Sequence, residues 1–460
     1  MNARVLRSTH ASRQYRGVRD SRGRPCSVCV PDLPEVLPPV TAPAPAAAAT
    51  PPAAPADTRM VPGGPGYRRM SLALFAAGLA TFALLYSTQA LLPLISADLG
   101  ASASAASWTV SAATGGLALC VLPLSALSER FGRARLMTVS LAVALVVAVL
   151  VPFAPNLGAL VALRAVQGAA LAGVPASAMA YLGEEVRPRA LVGAIGMFVA
   201  GNSIGGMSGR IVTGWVAQEW GWRPALAVIG LVSVACGLLF RALLPAPRHF
   251  TPATLHPRSV AATVAGHLRN PLLLRLYAIG GMFMTVFGAV YTVIGYRLSA
   301  EPFSLPQGVV GSIFVVYLVG TVASARAGRL VARLGRRGTL YLSAGTTAAG
   351  LAVSLADSLV LIVAGLVLIT AGFFAGHAVA SSSVSATATE GRAQASALYQ
   401  SAYYIGSSLG GVLGAMAFHA AGWTGTTLIG ALAVLAVAGL TLLGTYAARA
   451  ERHRQVPAGC

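Results

Sequence analysis

Residues 136–153, LMTVSLAVALVVAVLVPF, run for eighteen positions without a charge or a side-chain amide. Wound as a helix rising about 1.5 Å per residue, such a run covers most of a hydrocarbon core about 30 Å thick. A helix on the surface of a soluble domain would carry a polar stripe, and here only the hydroxyls of Thr138 and Ser140 interrupt the apolar sequence.

The rest of the chain repeats the pattern. Of 460 residues, 56% are apolar and 10% charged, against about 25% charged in an average soluble protein. Apolar blocks fall at 72–95, 107–127, 136–153, 158–182, 190–216, 223–244, 272–296, 309–331, 339–356, 359–389, 393–417 and 424–447. Inside hydrocarbon each backbone N–H and C=O must be satisfied within its own segment, so every block is predicted to be a helix. The expected fold class is an all-α membrane protein of twelve transmembrane helices. A polar stretch, 245–271, separates a bundle of six (71–244) from a second six (272–448). Residues 1–70, rich in Pro, Ala and Arg, are predicted to form a disordered tail, and 449–460 a short polar one. The first tail has no apolar signal-peptide core. Translation from Met60 or Met70 would omit most of it, and the intact mass of natively expressed protein tests that expectation.

The net charge of +20 comes from 33 basic residues, all of them Arg. Arg130, Arg133, Arg135, Arg187, Arg189, Arg248, Arg258, Arg269, Arg329, Arg333, Arg336, Arg337, Arg392, Arg449, Arg452 and Arg454 follow even-numbered blocks, whereas the opposite loops hold Arg223 and Arg297. This asymmetry predicts both termini in the cytoplasm, and it accounts for the charge without nucleic acid. Cys26 and Cys29 form one CxxC with no second ligand pair, so no metal site is expected. Without Lys there is no GxxxxGK[ST] loop to draw on ATP, and no cofactor is expected.

The halves repeat each other. Phe82 and Tyr86 in FALLY recur as Phe287 and Tyr291 in FGAVY, both offset by 205. Gly201, Gly205 and Gly209 recur at the same offset as Gly406, Gly410 and Gly414. SERFGRAR (128–135) recurs as VARLGRRG (331–338), with Gly132 and Gly335 offset by 203. Glycines four apart share a helix face and let a neighbouring backbone approach closely. Two readings of that face stand open: packing alone, or a sliding or sealing surface between the halves.

On these residues the chain resembles the major facilitator superfamily over about 72–447. Leu127, Arg130, Gly132 and Arg133 match the family's loop between helices two and three, with Ser125 replacing its first Gly and Glu129 replacing its acid by the homologue. Leu160, Arg164, Gln167 and Gly168 match its fourth-helix motif. The fifth-helix motif of the antiporter branch is met by Gly201, Gly205 and Gly209, while Gly206 replaces Pro and Arg210 replaces the last Gly. The sequence is similar to the drug/proton antiporter branch and, within it, to bacterial sugar-efflux-type permeases. The resemblance implies a monomeric secondary transporter of the bacterial inner membrane, exporting a small organic molecule against protons. Glu129, Arg130, Gly132 and Arg133 would form a cytoplasmic gate loop, with Glu129 latching onto the start of helix eleven near Ala393–Ser396.

Ionisable residues deep in a membrane are functional candidates because they are costly there. No carboxylate lies near mid-membrane, and the deep ionisable residues are Arg164, Arg210 and His377. The arginines have no counterparts at the repeat offset, where Ile369 and Ala415 stand. Either they bind helix-end carbonyls and Asp98 or reach the outer interface, or they face the cavity and attract a carboxylate or phosphate. Since helices one, four, seven and ten line the cavity in the family, the resemblance implies a substrate site around Tyr86, Gln89, Arg164, Tyr291 and His377, and Gln167, Arg210 of the fifth block and Tyr403 of the eleventh complete the candidate set. His377 is the proton-coupling candidate, having an ordinary pKa near physiological pH. An importer of a small organic anion, and a membrane sensor that moves nothing, are the alternatives.

Overall fold

A computed structural model describes residues 58–252 and 257–455. Ten helices there are long and apolar enough to cross a membrane. We label Gly66–Asp98 α1, Ala103–Phe131 α2, Arg133–Phe153 α3, Leu157–Glu185 α4, Pro188–Trp220 α5, Trp222–Leu243 α6 and Pro271–Ser299 α7. Gln307–Val353 and Arg392–Tyr446 hold 47 and 55 residues, about 70 and 80 Å of helix, twice the membrane. Each is broken where the backbone leaves helical geometry, the first at Gly335 and the second at Ala421 and Gly422. The pieces 307–334 and 336–353 are α8 and α9, Leu359–Thr387 is α10, and 392–420 and 423–455 are α11 and α12. Divided at these breaks, the ten candidate spans become twelve helical segments among the described residues.

The repeat recurs in the backbone. Gly132 and Gly335 have φ of +97° and +71°, values that side chains rarely tolerate, and they turn the chain sharply between α2 and α3 and between α8 and α9. The glycine rows pack within a half. A Cβ at Gly201, Gly205 or Gly209 would stand 2.3, 2.3 or 2.8 Å from backbone of Phe75, Leu79 or Ala83 on α1. Gly406, Gly410 and Gly414 meet Gly281, Thr285 and Ala289 on α7 equally closely. The sliding surface between halves is therefore corrected: both rows hold two helices of one half together.

The halves differ in their first helices. α7 is continuous, whereas α1 stops being α-helical after Leu85 and resumes through a short 3-10 turn at Gln89–Leu91. Pro93 supplies no N–H to the turn before it, and the Ser87 hydroxyl donates to the Leu84 carbonyl at 3.0 Å.

Hydrogen bonds join the halves from mid-membrane to the end of the bundle that carries Asp98. Ser401 Oγ donates to the Ala118 carbonyl at 2.9 Å and Ser408 Oγ to that of Ser111 at 2.8 Å. Tyr296 Oη donates to the Leu92 carbonyl at 3.0 Å and lies 2.6 Å from Ser96 Oγ. Gln307 Nε2 donates to the Ala90 carbonyl at 2.5 Å, and Gly308 N to Gln218 Oε1 at 3.0 Å. Beyond Ala118, toward Gly132, no hydrogen bond links the halves among the described residues.

Two boundaries change. The tail expected over 1–70 ends earlier, because α-helix begins at Pro65 and Met60 pairs with Val186, its N donating to the Glu185 carbonyl at 2.8 Å. The disorder expected of 1–57 lies outside the described residues. The stretch between the halves contains a helix, Pro257–Arg269.

Candidate functional site

A cavity of about 100 Å³ lies between the halves. Its wall from the first half is Phe82, Tyr86, Asn202, Ser203, Gly206 and Arg210. The second half supplies Met284, Phe287, Tyr317, Phe373, Phe374 and Tyr403. Asn202, Gly206 and Arg210 recur every fourth residue of α5, one position along from the glycine row. The row Gly201, Gly205 and Gly209 grips α1, which turns this second row to the cavity.

Arg210 is nearly fully buried. Its Nε donates to Gln89 Oε1 at 2.7 Å, and Nη1 donates to the Gly206 carbonyl. The guanidinium carbon lies 4.3, 4.8 and 4.9 Å from the ring centres of Tyr86, Phe314 and Tyr317, within cation–π range. A Cβ at 206 would stand in ordinary van der Waals contact with it, 3.4 Å from Nη1. No carboxylate lines the cavity, so this charge is balanced by amide, carbonyl and ring faces alone.

The two arginines part company, Arg210 reaching the cavity and Arg164 helix-end carbonyls. Arg164 is fully buried and points within the first half, where Nε donates to the Thr109 carbonyl at 3.0 Å and Nη1 to that of Leu84 at 2.7 Å. Its remaining donors reach the Leu85 carbonyl and Gln167 Oε1. Gln167 Nε2 in turn donates to the Ala144 carbonyl at 3.3 Å. Arg164 and Gln167 therefore leave the substrate set: they tie the broken end of α1 to α2 and α4. Asp98 is not their partner either. It accepts from Arg223 at 2.6 Å and from Trp222 Nε1 at 2.9 Å.

Tyr86, Arg210 and Tyr403 stand on the cavity wall, and Gln89 is one bond behind, its Nε2 3.4 Å from Thr292 Oγ1 of the other half. Tyr291 is displaced: it is fully buried behind Phe287, with its hydroxyl 2.6 Å from Thr370 Oγ1. His377 is also off the wall, its ring stacked against Phe373 and 4.7 Å from the Tyr403 centroid, and Nδ1 lies 2.9 Å from Tyr399 Oη. Asn202 is the residue that the glycine pattern concealed. Its Oδ1 is buried without a hydrogen-bond partner beside the cavity.

In the gate loop, Arg133 Nε donates to Glu184 Oε1 at 3.1 Å and Arg130 lies over the Phe131 ring. Glu185 goes elsewhere than to the loop arginines: it accepts from Arg248 N at 2.7 Å, His249 N at 2.8 Å and the His249 ring at 3.1 Å. Glu129 is half-buried and makes no hydrogen bond to the start of α11, in keeping with halves that are unjoined at that end.

A sequence profile described as Major Facilitator Superfamily matches residues 70–323 and 276–459. The MFS-type transporter YybF of Bacillus subtilis (strain 168) is 37% identical over 390 residues, 85% of this chain and 96% of that protein. The inner membrane transport protein YnfM of Escherichia coli (strain K12) is 40% identical over 383 residues, 83% of this chain and 91% of its own. Among solved structures, the nucleoside transporter NupG superposes with a TM-score of 0.67 at 12% identity, covering 81% of this chain and 99% of that one. Two repeated six-helix halves around a central cavity, and similarity along nearly the whole of those relatives, lead to one conclusion: the chain is a multi-pass membrane transporter that belongs to the major facilitator superfamily.

Proposed function

We propose that the chain exports a small organic anion with an apolar or aromatic body, in exchange for protons, by alternating access about the central cavity. The observation that carries this reading is Arg210, a guanidinium on the cavity wall with no carboxylate partner. A carboxylate entering the cavity would supply the missing counter-charge in forked geometry. Phe287, Phe373, Phe374 and Tyr317 would take the apolar body, and Asn202 Oδ1 would accept from a hydroxyl or amide of the cargo. With the termini in the cytoplasm of a bacterial inner membrane, the closed Asp98 end is periplasmic and cargo enters from inside.

Electrostatics favours export. Moving one monoanion out for one proton in transfers two charges, each worth about 2.3 kcal/mol per 100 mV of an inside-negative potential. We assign the proton site to His377, in ring contact with Tyr403 and hydrogen-bonded to Tyr399 behind the wall. An importer taking the anion in with protons would use the same cavity, and the direction of flux separates the two.

The test is proteoliposomes with an imposed pH gradient and potential, challenged with aromatic monocarboxylates, neutral sugars and cationic drugs. Carboxylate export should drive proton entry. Arg210→Gln should lower it at least about 30-fold, the effect of losing about 2 kcal/mol from a desolvated charge pair, with thermal stability retained. Cargo-driven proton movement by cations alone, or full activity in Arg210→Gln, refutes the reading.

A further inference from the structure

We propose that the arginine-bearing end of each half holds an anionic phospholipid in a groove between that half's third and sixth helices, the phosphodiester on guanidinium groups and the acyl chain along the helices. The second half carries the fuller site. A cavity of about 290 Å³ there is walled by α7, α9, α10 and α12. Leu276, Ile279, Leu340 and Leu440 give it an apolar floor, and Arg275, Arg336 and Arg337 all line it. None of the three pairs with a carboxylate among the described residues. Arg337 Nη2 donates to the Gly444 carbonyl at 3.1 Å, which fixes it at the rim, while Arg275 is half-buried.

Charge that only orients a membrane protein can be scattered over its loops. It has no reason to bring three unpaired guanidiniums to the mouth of one apolar cavity. Phosphate is the group that matches them, since Arg binds it through forked, charge-assisted hydrogen bonds. The apolar floor selects a phosphate that carries a hydrocarbon.

The first half repeats the arrangement. Between α3 and α6 an apolar trench of about 410 Å³ joins a pocket of about 310 Å³ through shared Thr138 and Arg241, with Arg135 at the mouth. Along α3 the trench runs from Thr138 to Val149, about 16 Å of helix, the scale of an acyl chain. Both grooves open on the end where the loop arginines gather, which the charge asymmetry places against an anionic leaflet.

The full chain, released for native mass spectrometry from phosphatidylcholine nanodiscs doped with phosphatidylglycerol, should retain phosphatidylglycerol in preference to phosphatidylcholine. Each of R275Q, R336Q and R337Q should weaken that retention about fivefold, from about 1 kcal/mol per basic residue at a membrane surface. R336Q changes an exposed side chain without hydrogen bonds, so it reports on binding even if another variant fails to fold. R329Q/R333Q, which removes twice the charge of any one of these variants from the same end outside the groove, should retain the lipid as the wild type does. Equal loss in that control, or undiminished retention in R336Q, overturns the proposal. Displacement of phosphatidylglycerol by millimolar inorganic phosphate would overturn it too, in favour of a soluble-anion site.

Discussion

Replacing Arg164 with Met keeps the length of the side chain and removes every donor, so it measures what the buried guanidinium contributes. Five acceptors surround it, the Ser87 hydroxyl most distantly at 3.4 Å, and they are not equivalent. The Leu84 carbonyl keeps Ser87 N and Ser87 Oγ as partners, and the Thr109 carbonyl lies inside the α2 helix and keeps its helical bond. The Leu85 carbonyl has no such reserve, because α1 breaks there and the N–H of Gln89 turns back to Tyr86 at 3.0 Å. Gln167 Oε1 also loses its donor. Two orphaned acceptors at about 1–3 kcal/mol each give about 2–6 kcal/mol. Hydrogen bonds between membrane helices average nearer 0.6 kcal/mol, since the unfolded chain in lipid finds partners as well, so the low end, about 2 kcal/mol, is the expected cost. Against this stands the desolvation of an unpaired cation, whose removal can stabilise a protein. If the hydrogen bonds win, thermal unfolding of the Arg164→Met protein in detergent, followed by tryptophan fluorescence, should fall by about 4 °C, the lower end of about 2–4 °C per kcal/mol for large domains. An unchanged or raised Tm would refute the assignment of Arg164 as the clamp on the broken helix.

Gly205→Ala would place a Cβ 2.3 Å from the Leu79 carbonyl oxygen and 2.6 Å from its Cα, and backbone cannot rotate aside. The overpacking cost of about 1–3 kcal/mol should exceed the helix propensity gain of about 1 kcal/mol. Gly345→Ala in α9, with nothing within 4 Å of the new Cβ, keeps that gain; melting of the two should move in opposite directions, and equal stability would contradict the packing account. Glu185→Gln replaces a carboxylate that binds two backbone N–H groups and the His249 ring at the head of the inter-bundle stretch. Losing about 1.4 kcal/mol of charge-assisted hydrogen bonding should raise local opening tenfold, read as faster tryptic cleavage after Arg248; an unaltered rate would contradict the clasp.

The architecture was legible because it follows from features that recur. Apolar runs such as 136–153 have no other solution in lipid than a helix, and Gly132 and Gly335 mark equivalent turns because both require positive φ. The charge in the site was legible where it departs from the repeat. Arg210 stands against Ala415 and Arg164 against Ile369, so neither charge serves the packing common to both halves, and the sequence marks both as special without distinguishing them. What distinguishes them is the break in α1, and that break is a property of Ser87 and Pro93 acting with Arg164 from another helix. No local pattern reports it. Once α1 is broken, Arg164 has unsatisfied carbonyls within reach and turns inward to them. Arg210 meets rings, one amide and the Gly206 carbonyl, and turns to the cavity. The second row in GNSIGGMSGR, Asn202, Gly206 and Arg210, was present at the same spacing as the glycines but carried no family pattern. It takes meaning only from its neighbour, for a glycine face pressed onto α1 at 201, 205 and 209 leaves 202, 206 and 210 bordering the cavity, with Asn202 still against Gly78 of α1. The same logic accounts for His377. A ring at cavity depth is placed by its helix, but whether it forms the wall or stands behind it depends on Phe373 and Tyr403, large side chains that occupy the nearer space.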